Sequence, residues 1–136
     1  KVNHYVLFLK LMERNVPAVF LKLLINWYGK CFAIVKWGCI FSDWFCLFCG
    51  VRQGGVLSPI LFTVYADVFM SDLKKLNLGC SINGLYVGCI MYADDLVLIS
   101  ASVNMLQRML DKCSQIAASI SMQFNAKKIE HYEIWT

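Results

Sequence analysis

The stretch "CIMYADDLVLIS", residues 89–100, places Asp94 and Asp95 in a run where nearly every other side chain is apolar. A charge taken out of water is costly unless it is paired, hydrogen-bonded or bound to a metal. The flanks read as two apolar strands, and Ala93-Asp94-Asp95 between them has the polar character that a tight turn prefers. Successive strand residues point to opposite faces, so adjacent aspartates in mid-strand would not share a face. At a hairpin tip that restriction relaxes, and both carboxylates reach the end of the sheet. Two carboxylates held there by rigid apolar arms suit a hard divalent cation such as magnesium. Phosphoryl transfer uses such ions to clamp the attacking and leaving oxygens. The competing reading is a plain solvent-exposed turn, in which Asp is a common residue.

Outward from this hairpin, residues 81–100 read as β, with a further turn near Asn83-Gly84. Upstream, Ser58-Pro59 reads as a helix start, Ser as N-cap and Pro in the first helical position. Ile60, Leu61, Val64, Tyr65, Val68, Phe69, Leu73 and Leu76 then recur at three- and four-residue spacing as far as Gly79. The pattern predicts one amphipathic helix from Ser58 to about Leu78, packed by Leu61, Val64, Val68 and Phe69 against the sheet. "GVRQGGVLSP", with three glycines within residues 50–55, reads as the loop before it. Residues 31–49 read as a hairpin of "CFAIVKW" and "WFCLFC" turning around Gly38 to Asp43. The chain opens with a helix over 5–13, broken by "NVP", and a second from Pro17 to about Tyr28, stopped by Gly29. A last helix follows Ser102, and "MQFNAKK" reads as an extended tail. This order gives an α+β domain, an antiparallel sheet with helices packed on one face.

At 136 residues the chain has the size of one domain, and 59% hydrophobic residues argue against disorder. Its richest apolar stretch, Phe41 to Gly50, is too short for a membrane span and is interrupted by Ser42 and Asp43. Lys10, Glu13 and Arg14 break any secretory-signal layout. So much apolar surface in a chain of this size suggests a piece of a larger protein. A net charge of +4 suits a polyanionic partner without demanding one, since Lys74-Lys75 and Lys127-Lys128 are the only basic doublets. Seven scattered cysteines, with Cys46 and Cys49 forming a single CxxC that lacks a second half-site, point to reduced thiols. An intracellular location, nucleus or cytoplasm, with no membrane partner is the expectation.

Three stretches together carry a family resemblance. "YADD" between apolar strands resembles the signature of reverse transcriptases, "GVRQGGVLSPILFTVYAD" resembles their template-contacting loop and helix, and "FNAKK" resembles the element that follows. They occur in the family's order and at compatible spacing, and "KVNHYVLFLKLMERNVPAVFLKLLINWY" resembles the segment after the family's first metal-binding aspartate. The likeness is to non-LTR retrotransposon polymerases and reaches about Lys128.

The resemblance implies a palm-like sheet belonging to a right-hand polymerase, with residues 1–128 a partial reverse transcriptase palm and 129–136, "IEHYEIWT", a divergent tail. It implies an RNA-directed DNA polymerase by descent, extending a primer on an RNA or DNA template with deoxynucleoside triphosphates. Magnesium is the implied metal, with manganese as a substitute. Asp94 would ligate it with Asp95 beside it, and Lys128 would lie near the triphosphate as the third catalytic group. Tyr92 would pack near the primer terminus. Arg52, Gln53, Gly54 and Gly55 would lie at the nascent base pair, and Ser58 and Pro59 would start a helix under the template. The family's first catalytic aspartate is expected immediately before Lys1, with fingers and thumb also outside the chain, so the 136 residues are expected to be inactive alone. The alternative is a catalytically dead remnant that only binds nucleic acid or protein.

Overall fold

The structure, a computed structural model, describes residues 2–52 and 54–130. Helix α1 (His4–Glu13) starts at Asn3, whose Oδ1 accepts the N–H groups of Tyr5 and Val6, satisfying donors that a helix start leaves open. Helix α2 (Ala18–Tyr28) follows Pro17 and ends at Gly29. Helices α3 (Ser58–Ala66) and α4 (Val68–Lys75) lie end to end, and α5 (Val103–Ser119) is capped by Ser102, whose Oγ accepts the N–H of Met105 at 3.2 Å. The core lies between these helices: Leu7, Tyr65, Leu73 and Met109 are wholly buried, with Leu24 and Phe69 nearly so. Helix α1 packs on α2 and α3, and α4 packs on α5.

The single helix expected from Ser58 to Leu78 is divided at Asp67. Thr63 Oγ1 donates back to the Pro59 carbonyl at 2.9 Å, a bond that bends helices, and Arg14 holds the Asp67 carboxylate at 2.6 Å where the two segments meet. Helix α4 also stops earlier than expected. Asn77 takes a φ of 51°, its N–H bonds to the Lys74 carbonyl, and Leu78 N–H bonds to the Leu73 carbonyl. That pair of bonds closes a helix with a left-handed residue, and burial of Leu78 over Leu73 completes it. Leu61 and Phe69 are buried and Val64 and Val68 half-buried. Helix α4, with Val68 and Phe69, packs on the acidic hairpin as the spacing predicts, whereas α3, with Leu61 and Val64, packs on α1.

The strands form four separate two-stranded antiparallel ribbons among the described residues, where one sheet was expected. β1 (Phe32–Ala33) pairs with β4 (Phe45–Cys46), and β2 (Lys36–Trp37) pairs with β3 (Ile40–Phe41). The turn between β2 and β3 is Gly38-Cys39, tighter than the expected span to Asp43. Further down, Val35 and Ser42 face each other, and Ile34 then stands opposite both Asp43 and Trp44, a bulge that splits the hairpin in two. β5 (Ser81–Ile82) and β6 (Leu85–Tyr86) join through Asn83-Gly84, both with positive φ, which a two-residue hairpin turn of this kind demands. β7 (Cys89–Tyr92) and β8 (Asp95–Leu98) form the longest ribbon. Strands of two to four residues leave little edge along which ribbons could merge. The tail is not wholly extended either: Ala126–Lys128 form a 3₁₀ turn whose Asn125 Oδ1 accepts the Lys127 N–H.

Large apolar side chains stand in water along the chain, several of them on the 32–48 ribbons: Trp37 is 85% exposed and Phe48 83%. Among the described residues no helix is long and apolar enough to cross a membrane.

Candidate active site

The register of β7 and β8 pairs Cys89 with Leu98, Met91 with Leu96, Ile90 with Val97 and Tyr92 with Asp95. Directly opposed residues share a face and successive pairs alternate. Cys89, Met91, Leu96 and Leu98 therefore face the core, where they are buried or half-buried. Ile90, Val97, Tyr92 and Asp95 share the outer face, where Tyr92 is 83% exposed. The turn itself is Ala93-Asp94, and Asp95 is the first residue of the returning strand. The expected three-residue acidic tip is thus a two-residue turn, and the carboxylates leave the backbone from different positions, Asp94 from the turn and Asp95 from the outer face.

Asp94 stands at the mouth of a narrow cleft of about 20 Å³ lined by Phe62, Phe69, Met91, Met122 and Phe124. That volume holds about one water, so the cleft seats the turn rather than a ligand. The Phe69 and Phe124 rings meet at 5.6 Å, which fixes the tail beside the turn four residues before Lys128. Lys128 is exposed and its N–H bonds to the Asn125 carbonyl at 2.9 Å.

The glycine loop lies at the other end of α3. Arg52 and Gly54 are exposed, Gly54 has a φ of +77°, and Gln53 lies outside the described residues. Ser58 does not cap α3 as expected; Leu57 occupies that position, and Ser58, already in the helix, is buried and donates its hydroxyl to the Arg52 carbonyl at 2.5 Å. The loop has drawn the hydroxyl away from the helix. Gly55 N–H bonds to the same carbonyl at 3.0 Å, and a Cβ on Gly55 would come within 2.8 Å of Ser58 Oγ. Pro59 follows on the exposed side of the first turn. From Ser58 to Ala66 the helix advances roughly 12 Å. Its far end, through Phe62 and Ala66, borders the Asp94 cleft. One short helix thus carries the glycine loop at its start and borders the acidic turn at its end, with Lys128 held separately on the tail.

Among the described residues, no group of three or more His, Cys, Asp or Glu side chains is placed to hold a metal. Asp94 and Asp95 offer the hard oxygen donors that magnesium prefers, but they are two carboxylates and fit only part of a ligand set. The other helix-borne acids are engaged elsewhere. Asp67 binds Arg14 and accepts from Ser71 Oγ at 3.1 Å, and Asp72 lies 3.9 Å from Lys112.

The profile of the family described as reverse transcriptase (RNA-dependent DNA polymerase) matches residues 1–134. The chain belongs to that family. Among its relatives, the Pol polyprotein of the type-2 retrotransposable element R2DM of Drosophila melanogaster is 34% identical over 79 residues, 58% of this chain and 7% of the relative. The Pol polyprotein of the type-1 element R2 of Nasonia vitripennis is 38% identical over 74 residues, 54% of this chain and 7% of the relative. The RNA-directed DNA polymerase of the mobile element jockey of Drosophila funebris is 29% identical over 137 aligned positions, 94% of this chain and 14% of the relative. The chain thus spans between 7% and 14% of the length of these relatives.

Residues 2–4, His4 among them, carry a role to which the sequence assigns no residue. They hold the base of the glycine loop, and a side chain that meets a carbonyl 46 residues away leaves no local pattern.

Proposed function

We propose that residues 1–128 are part of the palm of an RNA-directed DNA polymerase that adds deoxynucleotides to a primer on an RNA or DNA template. The primer 3′-hydroxyl attacks the α-phosphorus of the triphosphate, a phosphodiester bond forms, and pyrophosphate leaves. Asp94 and Asp95 hold magnesium, or manganese in its place, with the remaining ligands coming from triphosphate oxygens and from groups outside the described residues. Magnesium supplies neutralisation of charge on the transferring phosphate and alignment of the reacting oxygens. Tyr92 packs against the primer end from the outer face of the hairpin. Arg52, Gln53, Gly54 and Gly55 approach the nascent base pair, where the absence of side chains lets backbone and nucleic acid come close. Ser58 keeps that loop tied to α3, Pro59 opens the helix under the template, and Lys128 offers a cation to the triphosphate. The 136 residues alone, of which the described ones offer only part of a ligand set, do not extend a primer.

The observation that carries this reading is the exposed Asp94-Asp95 step at the end of an apolar ribbon seated on α4, in a chain of the reverse transcriptase family. Manganese, which broadens NMR signals of nearby nuclei, tests it on the chain itself. Broadening is expected first at Tyr92 to Leu96 and is expected to disappear in Asp94→Asn/Asp95→Asn. Broadening centred elsewhere, or unchanged in the double variant, contradicts the assignment.

A further inference from the structure

Three consecutive residues at the start of α1 close on the base of the glycine loop. The Val2 carbonyl accepts the Gly50 N–H at 2.6 Å, Asn3 forms an antiparallel bridge with Cys49, and His4 Nε2 lies 2.7 Å from the Gly50 carbonyl. Both backbone groups of Gly50 are therefore taken, one by Val2 and one by His4. A carbonyl only accepts, so His4 Nε2 carries the proton and donates. The imidazole is held by its edge-on approach to the Tyr28 ring, 4.6 Å between centroids. Asn3 is anchored in turn: its N–H donates to Tyr65 Oη at 3.1 Å, and that buried hydroxyl donates to the Ile120 carbonyl. Gly50 has a φ of +93°, a conformation that directs the chain sharply into the loop and that other residues rarely adopt.

Gly50 thus stands at the entry to the loop that carries Arg52, Gly54 and Gly55, and His4 holds its carbonyl. From this geometry we infer that His4 is a positioning residue for the polymerase reaction: by fixing the Gly50 carbonyl it sets where the 52–55 loop meets the nascent base pair. The inference deepens the function proposed above and rests on it for the part played by the loop. The latch itself rests only on the contacts around Gly50.

Two variants separate the hydrogen bond from the packing. His4→Phe keeps an aromatic edge on Tyr28 and removes the donor; His4→Gln keeps an N–H donor of comparable reach. Trypsin cleaves after Arg52, so the cleavage rate there reports how often the loop opens, and cleavage after Lys75, outside the loop, controls for global unfolding. Loss of one hydrogen bond is expected to speed cleavage at Arg52 about threefold to tenfold in His4→Phe, with Lys75 unchanged and His4→Gln close to the native rate. In a full-length polymerase carrying this segment, His4→Phe is expected to raise KM for the incoming nucleotide severalfold with kcat within about twofold, again restored by His4→Gln. Unchanged cleavage at Arg52, or equal acceleration at Lys75, overturns the latch. Faster cleavage with an unchanged nucleotide KM overturns the positioning role. A polymerase indifferent to Asp94→Asn contradicts the reading of the acidic turn alone, because the KM effect of His4→Phe is read independently of it.

Discussion

Tyr92 and Asp95 face each other as the last cross-strand pair of the acidic hairpin, so Ala93 and Asp94 make the turn by themselves. That relationship assigns the two carboxylates different surroundings. Asp94 rides on a turn that borders a cleft lined by Phe69 and Phe124, whereas Asp95 shares an open strand face with Tyr92, Ile90 and Val97.

The turn requires a φ of +51° at Ala93, a left-handed conformation that costs an L-residue roughly 1–2 kcal/mol. Ala93→Val is expected to lower stability by about that much, since a β-branched side chain tolerates the conformation least. Ala93→Gly relieves the strain and is expected to hold or raise stability, the chain-entropy cost of glycine offsetting part of the gain. Urea midpoints of the two variants check this; equal midpoints would mean that the turn is not strained.

The two ribbons of residues 81–98 are brought together by Gly79 and Gly88. A Cβ on Gly88 would lie 2.7 Å from Gly79 Cα and 2.8 Å from Cys80 N, both backbone atoms that cannot swing aside. Gly88→Ala is therefore expected to cost about 1–3 kcal/mol, as overpacking does. Gly84→Ala, which meets no atom within 4 Å but sits at φ +80°, is expected to cost less. The comparison is made by denaturant titration, and the reverse order would refute the close approach.

Burial pushes the Cys113 thiol up to about 12 from its ordinary 9.0, with the neighbouring Cys89 adding to the effect, and burial raises Cys89 as well. The thiolate is the reactive form, so at pH 8 iodoacetamide is expected to modify exposed Cys39, Cys46 and Cys49 while sparing Cys89 and Cys113. The raised values also set a pH dependence. The folded state holds these protons more tightly than the unfolded chain, so the contribution to stability is fully present below pH 9.0 and is lost as pH rises through about 12. Peptide mapping of modified thiols and alkaline denaturation test the two halves; early labelling of Cys113 would mean that this part of the core is open.

How much of this was legible in the sequence depended on how local each cause is. Ser102 at the start of α5, Gly29 at the end of α2 and the Asn83-Gly84 turn act on their own neighbours, and the chain reads as it folds there. The break at Asp67 was not legible, because Arg14 stands 53 residues away and the Thr63 back-bond declares itself only once the helix exists. Ser58 reads as a cap until the loop folds and claims its hydroxyl for Arg52. The acidic hairpin was visible as a pattern, but apolar alternation did not reveal that Asp95 begins a strand, since that follows from which side chains α4 buries. The division into four ribbons is not legible, because pairing between distant edges leaves no trace in local spacing.

The central claim is that the Asp94-Asp95 turn holds the catalytic metal of a polymerase. Its most direct test is primer extension on an RNA template with magnesium by a full-length polymerase carrying this segment, with and without Asp94→Asn, a change that keeps the shape of the turn and removes the charge. Extension is expected from the unaltered enzyme, none from the 136 residues alone, and a loss of roughly a hundredfold or more in the variant, the scale on which an electrostatic or metal-positioning group acts. A variant that extends primers within tenfold of the unaltered rate would show that the acidic turn is only a turn.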